Sequence, residues 1–176
     1  MSATAILEVS PSGWLDYAGQ RFRCALGKGG VKTHKREGDG ATPVGRFALR
    51  RLFYRPDRIA RPFCALKTAP LPPDAGWCDD PAHPDYNRLV TLPHPASCET
   101  MWRRDAVYDL VIPLGYNDEP PVAGLGSAIF LHLARPDYTP TEGCVALARA
   151  DFLALLPLLS AASEIAIGDP NSGSGS

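Results

Sequence analysis

The sequence reads as a mostly β chain carrying one or two short helices, and three observations carry that reading. The 18 prolines and 16 glycines make up nearly a fifth of 176 residues, which favours many turns and short strands over a helical bundle. Short apolar runs recur between turn residues, the pattern of strands rather than of long amphipathic helices. Helical spacing is confined to one stretch near the C-terminus.

In chain order, 4–9 and 20–26 flank turn signals at Pro11-Ser-Gly13 and Ala18-Gly19, with Trp14-Leu-Asp-Tyr17 between them. This predicts an N-terminal β-meander. Gly38-Asp-Gly40 and Pro43 mark a loop before a strand over 45–53. Residues 55–86 are dense in proline and polar turn residues without periodicity, which predicts a long loop of the kind that often serves function. Ser97 is placed to cap a short helix over 97–104. The runs 108–112 and 128–132 read as buried strands. Residues 149–159 predict a helix with Leu153, Leu156 and Leu159 on one side, bent or shortened by Pro157. A last strand over 164–167 follows. Residues 1–170 are expected to form one domain, and 171–176 a flexible tail or linker.

Composition excludes several classes. Lys and Arg number 18 against 19 Asp and Glu, so no basic field for nucleic acid is expected. No apolar run has the length of a membrane span. The first ten residues lack the basic start and long apolar segment of a secretory signal. Cysteines stand at 24, 64, 78, 98 and 144 with no CxxC pair, which argues against a structural metal. Two disulfides with Cys144 left free, or five reduced thiols, both fit the count. His34, His83 and His94 are expected at the surface, and Asp79-Asp80 to be solvated. Neither a metal nor an organic cofactor is expected.

The chemistry concentrates in His132 and Cys144. The apolar run Ser127-Ala-Ile-Phe-Leu131 delivers His132 at its end, and a proline-rich loop leads to Gly143-Cys144, which opens Val145-Ala-Leu147. A thiol that attacks an acyl group needs a base, steric access and donors for the oxyanion. Two strands returning to one place would bring His132 beside Cys144, and Gly143 would let a carbonyl approach the backbone N–H groups. A cysteine among Val, Ala and Leu is ordinarily an inert core residue. Here Thr139-Pro140-Thr141-Glu142 is turn chemistry directly before the thiol, so Cys144 sits at an element boundary. The pair is expected to hold Cys144 as thiolate below the ordinary cysteine pKa of about 8.5.

Thr141-Glu142-Gly143-Cys144-Val145 with His132 upstream resembles the signature of the L,D-transpeptidase catalytic domain, the YkuD type. A second segment, Lys35-Arg-Glu-Gly-Asp-Gly-Ala-Thr-Pro-Val-Gly-Arg-Phe47, is similar to that family's Ala-Thr-Pro region. The resemblance runs from about residue 26 to 167. The chain departs from the usual pattern at Glu142, where most members have His, at Leu133 in place of Gly, and at Ala146 in place of Arg or Asn. The resemblance implies a sandwich-like fold of mixed sheets and an acyl transfer on peptidoglycan. Cys144 would attack the L-centre carbonyl of a donor stem peptide, His132 would move the proton, and an amine of an acceptor stem or water would resolve the thioester. The N–H groups around Gly143 and Cys144 would hold the oxyanion, and a backbone carbonyl or Glu142 would orient His132. Thr141, Glu142, Arg135, Trp77 and Tyr138 are the expected substrate-binding residues. A monomer in the periplasm or cell envelope is implied. Carboxypeptidase action, hydrolysis of other peptides by the same thiol, or a non-catalytic wall-binding role are the alternatives.

Overall fold

A computed structural model describes residues 5–171; the strand expectation at residue 4 and the tail at 172–176 lie outside the described residues. The chain runs through β1 (Ile6–Ser10), β2 (Trp14–Tyr17), β3 (Gln20–Ala25), β4 (Val31–Lys32), β5 (Thr42–Pro43), β6 (Gly45–Ala48), β7 (Leu52–Tyr54) and β8 (Thr68–Pro70). It continues through β9 (Ala75–Cys78), β10 (Leu89–Thr91), β11 (Cys98–Thr100), β12 (Leu110–Pro113), β13 (Phe130–Leu133) and β14 (Val145–Leu147). The helix α1 (Arg149–Leu155), a 3-10 turn (Leu156–Leu158) and β15 (Glu164–Ile167) close it. Mostly β with one short helix is therefore what the residues form.

Ten strands make one mixed sheet in the order β6-β15-β1-β2-β3-β14-β13-β12-β7-β8. The pairs β1–β15, β13–β14 and β7–β8 are parallel. Leu7, Leu15, Phe22 and Ile165 from one half of the sheet share a single apolar cluster with Leu52, Leu110, Leu131 and Val145 from the other. The sheet therefore curls until its halves face each other, with Phe152 and Leu155 of α1 in the same cluster.

Alternation along the central strands separates two environments. Leu110 and Ile112, Leu131 and Leu133, Val145 and Leu147 enter that first core. The intervening Val111, Phe130 and Cys144 belong to a second cluster on the opposite face, with Phe53, Leu71, Val107 and Tyr108. A strand reverses facing at every residue, so one register choice commits Leu131 to the core and Phe130 and His132 to the other side. A three-stranded sheet, β10-β9-β11, covers part of that face and contributes Ala75 and Met101.

Several expectations differ from what forms, among them the loop expected over 55–86, which holds β8 and β9. The single strand over 45–53 is two: β6 pairs with β15 at one edge of the sheet, while β7 pairs with β12 near the other. The chain must cross between them, and Leu49–Arg51 is where it does so. The helix expected over 97–104 is instead strand β11, because pairing with β9 supplies the backbone partners that a helix would have supplied. On the C-terminal helix, Phe152, Leu155 and Leu156 face inward and Leu153 is exposed; Pro157 tightens the end into the 3-10 turn.

Candidate active site

His132 and Cys144 meet because β13 and β14 are parallel neighbours. His132 lies in register with Ala146, and Cys144 is two residues before Ala146. Two residues return a strand to the same face, so both side chains leave the sheet on one side as diagonal neighbours. From the strand spacing of about 4.8 Å and rise of about 3.3 Å per residue, their Cα atoms lie roughly 8 Å apart.

The sulfur sits where β13 begins. Cys144 Sγ donates to the Ala128 carbonyl at 3.2 Å and accepts the Phe130 N–H at 3.3 Å. His132 Nδ1 stands 2.9 Å from the Leu133 carbonyl. A carbonyl only accepts, so Nδ1 carries the proton and Nε2 keeps its lone pair. Of the two orienting groups expected, the backbone carbonyl fills the role; Glu142 instead pairs with Lys28, with Nζ–Oε distances of 2.9 and 3.0 Å, and is mostly exposed.

The turn before Cys144 is built by Thr141. Its Oγ1 donates to the Cys144 carbonyl at 2.7 Å and accepts the Gly143 N–H at 3.1 Å. The Thr141 peptide is itself clamped between Leu26 and Lys28. Thr141 is thus a buried scaffold for the nucleophile as well as part of the cavity wall. Since the Gly143 N–H is turned onto Thr141, it does not point at the reacting centre in this geometry. Gly143 is required for another reason than the one read from sequence: its φ is +140°, and an added Cβ would lie 2.8 Å from the Ala41 carbonyl oxygen. Gly27 is pressed from the same side, its absent Cβ falling 3.0 Å from the Gly143 Cα. Gly143→Ala is expected to destabilise the fold by roughly 1–3 kcal/mol through backbone strain and to displace Cys144. Thermal unfolding and the rate of Cys144 alkylation measure both; an unchanged melting temperature would contradict the close approach.

Both reacting groups line a cavity of about 440 Å³. Its wall carries cations, Lys35, Arg103 and Arg135, and anions, Glu37, Asp79, Glu99 and Glu142. Lys35 is buried with its Nζ 2.8 Å from Asp39. Arg103 binds Asp105 through both nitrogens, at 2.7 and 2.8 Å, and lies over the Tyr108 ring. Tyr108 stacks edge-on to His132, with centroids 5.2 Å apart, and donates its hydroxyl to Glu99. Asp79 Oδ1 is buried without a hydrogen-bond partner.

Burial dominates the titration of the pair. It lowers His132 to about 4, with the nearby Arg135 and Arg103 acting in the same direction and the Leu133 carbonyl opposing. It raises the Cys144 thiol to about 12, aided by the Glu99 charge, while the Phe130 N–H and Lys35 pull the other way. Burial thus disfavours both the thiolate and the imidazolium, working against the thiolate expected from sequence, because removal from water penalises each charged form. Glu99 is also raised, chiefly by burial.

The other expected residues fall as follows. Arg135 and Glu142 line the cavity, but Arg135 leans toward Asp105 at 3.6 Å rather than meeting Glu142. Trp77 and Tyr138 do not line it. Trp77 packs edge-on against Phe130 and donates Nε1–H to Asn87, and Tyr138 lies under the Arg23 guanidinium and lines a different cavity. Tyr108, Glu99, Arg103 and Lys35 were not singled out together by sequence: three of them fall within residues 99–108, but no motif marks their spacing and Lys35 is remote from them.

Asn87 buttresses the sulfur from behind. Its Oδ1 accepts the Ala128 N–H and its Nδ2 donates to the Tyr116 and Asn117 carbonyls. The peptide that meets Cys144 is thereby tied to segment 79–97. That segment also gathers metal-capable groups: Cys78, His94 and Cys98 converge, as do His83, Asp85 and His94. Sequence spacing gave no sign of this grouping, and His83 and His94 are partly buried rather than fully at the surface.

The family model of the YkuD L,D-transpeptidase catalytic domain matches residues 12–167. Among solved structures, an L,D-transpeptidase from Mycobacterium smegmatis is 11% identical with a TM-score of 0.47, covering 96% of this chain and 60% of that one. The helical cell shape determining protein Pgp2 of Campylobacter jejuni is 14% identical with a TM-score of 0.48, covering 94% and 47%. L,D-transpeptidase 1 of Mycobacterium tuberculosis is 10% identical with a TM-score of 0.42, covering 93% and 61%. The chain thus spans about half to three fifths of the length of these proteins. No curated protein matches the sequence.

Proposed function

The chain belongs to the L,D-transpeptidase catalytic-domain (YkuD) family, and on that premise we propose that it is a peptidoglycan L,D-transpeptidase working through a thioester on Cys144. The observation that carries the reading is the placement of Cys144 and His132 on one face of adjacent parallel strands, opening into a cavity of mixed charge. Stem peptides carry both carboxylates and ammonium groups. Lys35, Arg103 and Arg135 suit the former, and Asp79, Glu99 and Glu142 the latter.

In this reading His132 Nε2 takes the thiol proton as Sγ attacks the L-centre carbonyl of the third donor residue. The Phe130 N–H already aimed at Sγ steadies the sulfur as it gains charge. The tetrahedral oxyanion is met by the Cys144 N–H, with the Gly143 N–H available only if it leaves Thr141. Collapse breaks the C–N bond to the terminal D-residue, and the imidazolium returns its proton to that amine. The amine of an acceptor stem then attacks the thioester, yielding a cross-link and restoring the thiol; water yields the shortened stem. A neutral resting pair suits this order, since charge separates only once substrate has closed the cavity.

A cell-wall substrate supports a location in the cell envelope; no described helix is long and apolar enough to cross a membrane. The test is turnover of a purified disaccharide-tetrapeptide followed by mass spectrometry. Cross-linked dimer with stoichiometric release of the terminal D-residue is expected, and absence of both dimer and shortened stem would overturn the assignment.

Glu142 separates the two half-reactions. It stands at the rim, largely exposed and held only by Lys28, where an acceptor ammonium would approach. Glu142→Gln is expected to leave donor acylation near the wild-type rate while cross-link formation falls several-fold. Stability should hardly change, because exposed ion pairs contribute little. Equal loss in both half-reactions would show that Glu142 supports the nucleophile instead.

A further inference from the structure

Strands β9 and β11 pair antiparallel with Cys78 directly opposite Cys98, and Trp77 opposite Glu99. Alternation sends Trp77, Asp79 and Glu99 toward the main sheet and the cavity. The two cysteines face the other way, where segment 79–97 folds back over them. Cys78 is fully buried and Cys98 partly so.

That segment brings His94 to the cysteines, and His83 and Asp85 to His94. The ligand atoms of Cys78, His94 and Cys98 all lie within 4.8 Å of one another, and so do those of His83, Asp85 and His94. The two triads share His94, whose Nε2 is 2.9 Å from Asp85 Oδ2 and whose ring lies 4.7 Å from that of His83. We propose that Cys78, Cys98 and His94 bind a zinc ion, with the His83–Asp85 pair closing the fourth position. Zn–S bonds of about 2.3 Å and Zn–N bonds of about 2.0 Å place tetrahedral ligand atoms roughly 3.3–3.8 Å apart. Closure of Cys78, Cys98 and His94 from a spread within 4.8 Å takes about an ångström of side-chain movement, and one His94 ring nitrogen exchanges its present partner, Asp85 or the Ala96 N–H, for the metal.

The donor set suits zinc rather than a hard cation. Two thiols and an imidazole are borderline-soft ligands, whereas calcium and magnesium take oxygen. Each thiol releases its proton to solvent as its sulfur binds the metal. The site also answers a structural need. Segment 79–97 is rich in proline and polar residues and inserts only Tyr86 and Asn87 deeply, so beyond the β10–β9 pairing its own apolar burial contributes little. A zinc on the outer face of β9 and β11 fixes the backbone one residue before Asp79 and one before Glu99, which line the inner face, and anchors the loop that carries Asn87. The site is a positioning device for the cavity wall, and its existence does not depend on which reaction the cavity performs.

The experiment is to purify the full chain under a non-chelating reductant, load it with zinc or cobalt(II), remove free metal, and measure bound metal by elemental mass spectrometry. Roughly one equivalent is expected, as for a four-ligand structural site, with a thiolate-to-cobalt charge-transfer band and the visible bands of tetrahedral cobalt. Cys98→Ser and His94→Ala should each lower retained zinc at least tenfold, while Cys64→Ser, outside the group, keeps the full equivalent. Zinc should raise the melting temperature of the wild type and of Cys64→Ser only. Reduced, folded wild type that retains under a tenth of an equivalent overturns the proposal, including the case in which the unreduced protein holds a Cys78–Cys98 disulfide. So does equal zinc retention in wild type and the Cys98→Ser/His94→Ala double variant.

Discussion

Cys144→Ala is expected to remove acyl transfer altogether, lowering turnover of a stem-peptide donor by at least about three orders of magnitude. No other cysteine can substitute. Cys24 lies in the first core with its thiol raised to about 12 by burial, Cys64 packs at the edge of that core, and Cys78 and Cys98 face away from the cavity. Alanine also strips the Ala128 carbonyl and the Phe130 N–H of their shared partner, so lost activity alone would not distinguish a missing nucleophile from a disturbed strand. Cys144→Ser resolves this, since a hydroxyl satisfies both groups while remaining a far poorer nucleophile at this site. Incubation with a carbapenem, read by intact mass, should give a single adduct on wild type and none on either variant. The serine variant should unfold within a degree or two of wild type. An adduct that persists in Cys144→Ala would place the nucleophile elsewhere and remove the proposed mechanism.

The parts of the site that were legible in the sequence were those written locally. His132 ends an apolar run and Cys144 begins another, with turn residues between, so both the strands and their meeting could be read without a partner sequence. What was not legible is whatever depends on long-range register. Cys78 and Cys98 are twenty residues apart with no CxxC spacing, and only antiparallel pairing places them opposite each other. Ser97 offers a helix cap, yet its carbonyl accepts the Asp79 N–H as part of the β9–β11 pairing. Local preference lost to a tertiary partner there, as propensity generally does. The segment that looked structureless between 55 and 86 holds β8 and β9 for the same reason: its strands are three and four residues long, too short to show a period. The burial of Cys144 was not legible either: a sequence reports the neighbour, His132, but not the desolvation that pushes the thiol up.

His132→Gln carries the second large effect and tests that judgement about burial. Glutamine keeps a donor for the Leu133 carbonyl but has no basic lone pair, so acylation should fall by roughly 10²–10⁴, the usual worth of a general base. The pH dependence is the sharper readout. In the folded protein His132 titrates near 4, against about 6.5 for an unfolded chain. Between those values the unfolded state binds a proton that the folded state does not, so acid favours unfolding. The neutral imidazole's stabilising contribution is complete above pH 6.5 and is lost as pH falls through 4, a change of roughly 3 kcal/mol for a shift of this size. Wild-type stability should slope downward across that window, and His132→Gln should flatten the slope. The acylation rate should hold down to about pH 4, because only there does His132 acquire the proton that ends its role as base. An acid limb centred near 6.5, with no change of slope in the glutamine variant, would mean that water reaches His132 in solution and that the neutral resting pair is wrong. An acylation rate unchanged by the substitution would remove His132 as the base while leaving Cys144 as the nucleophile.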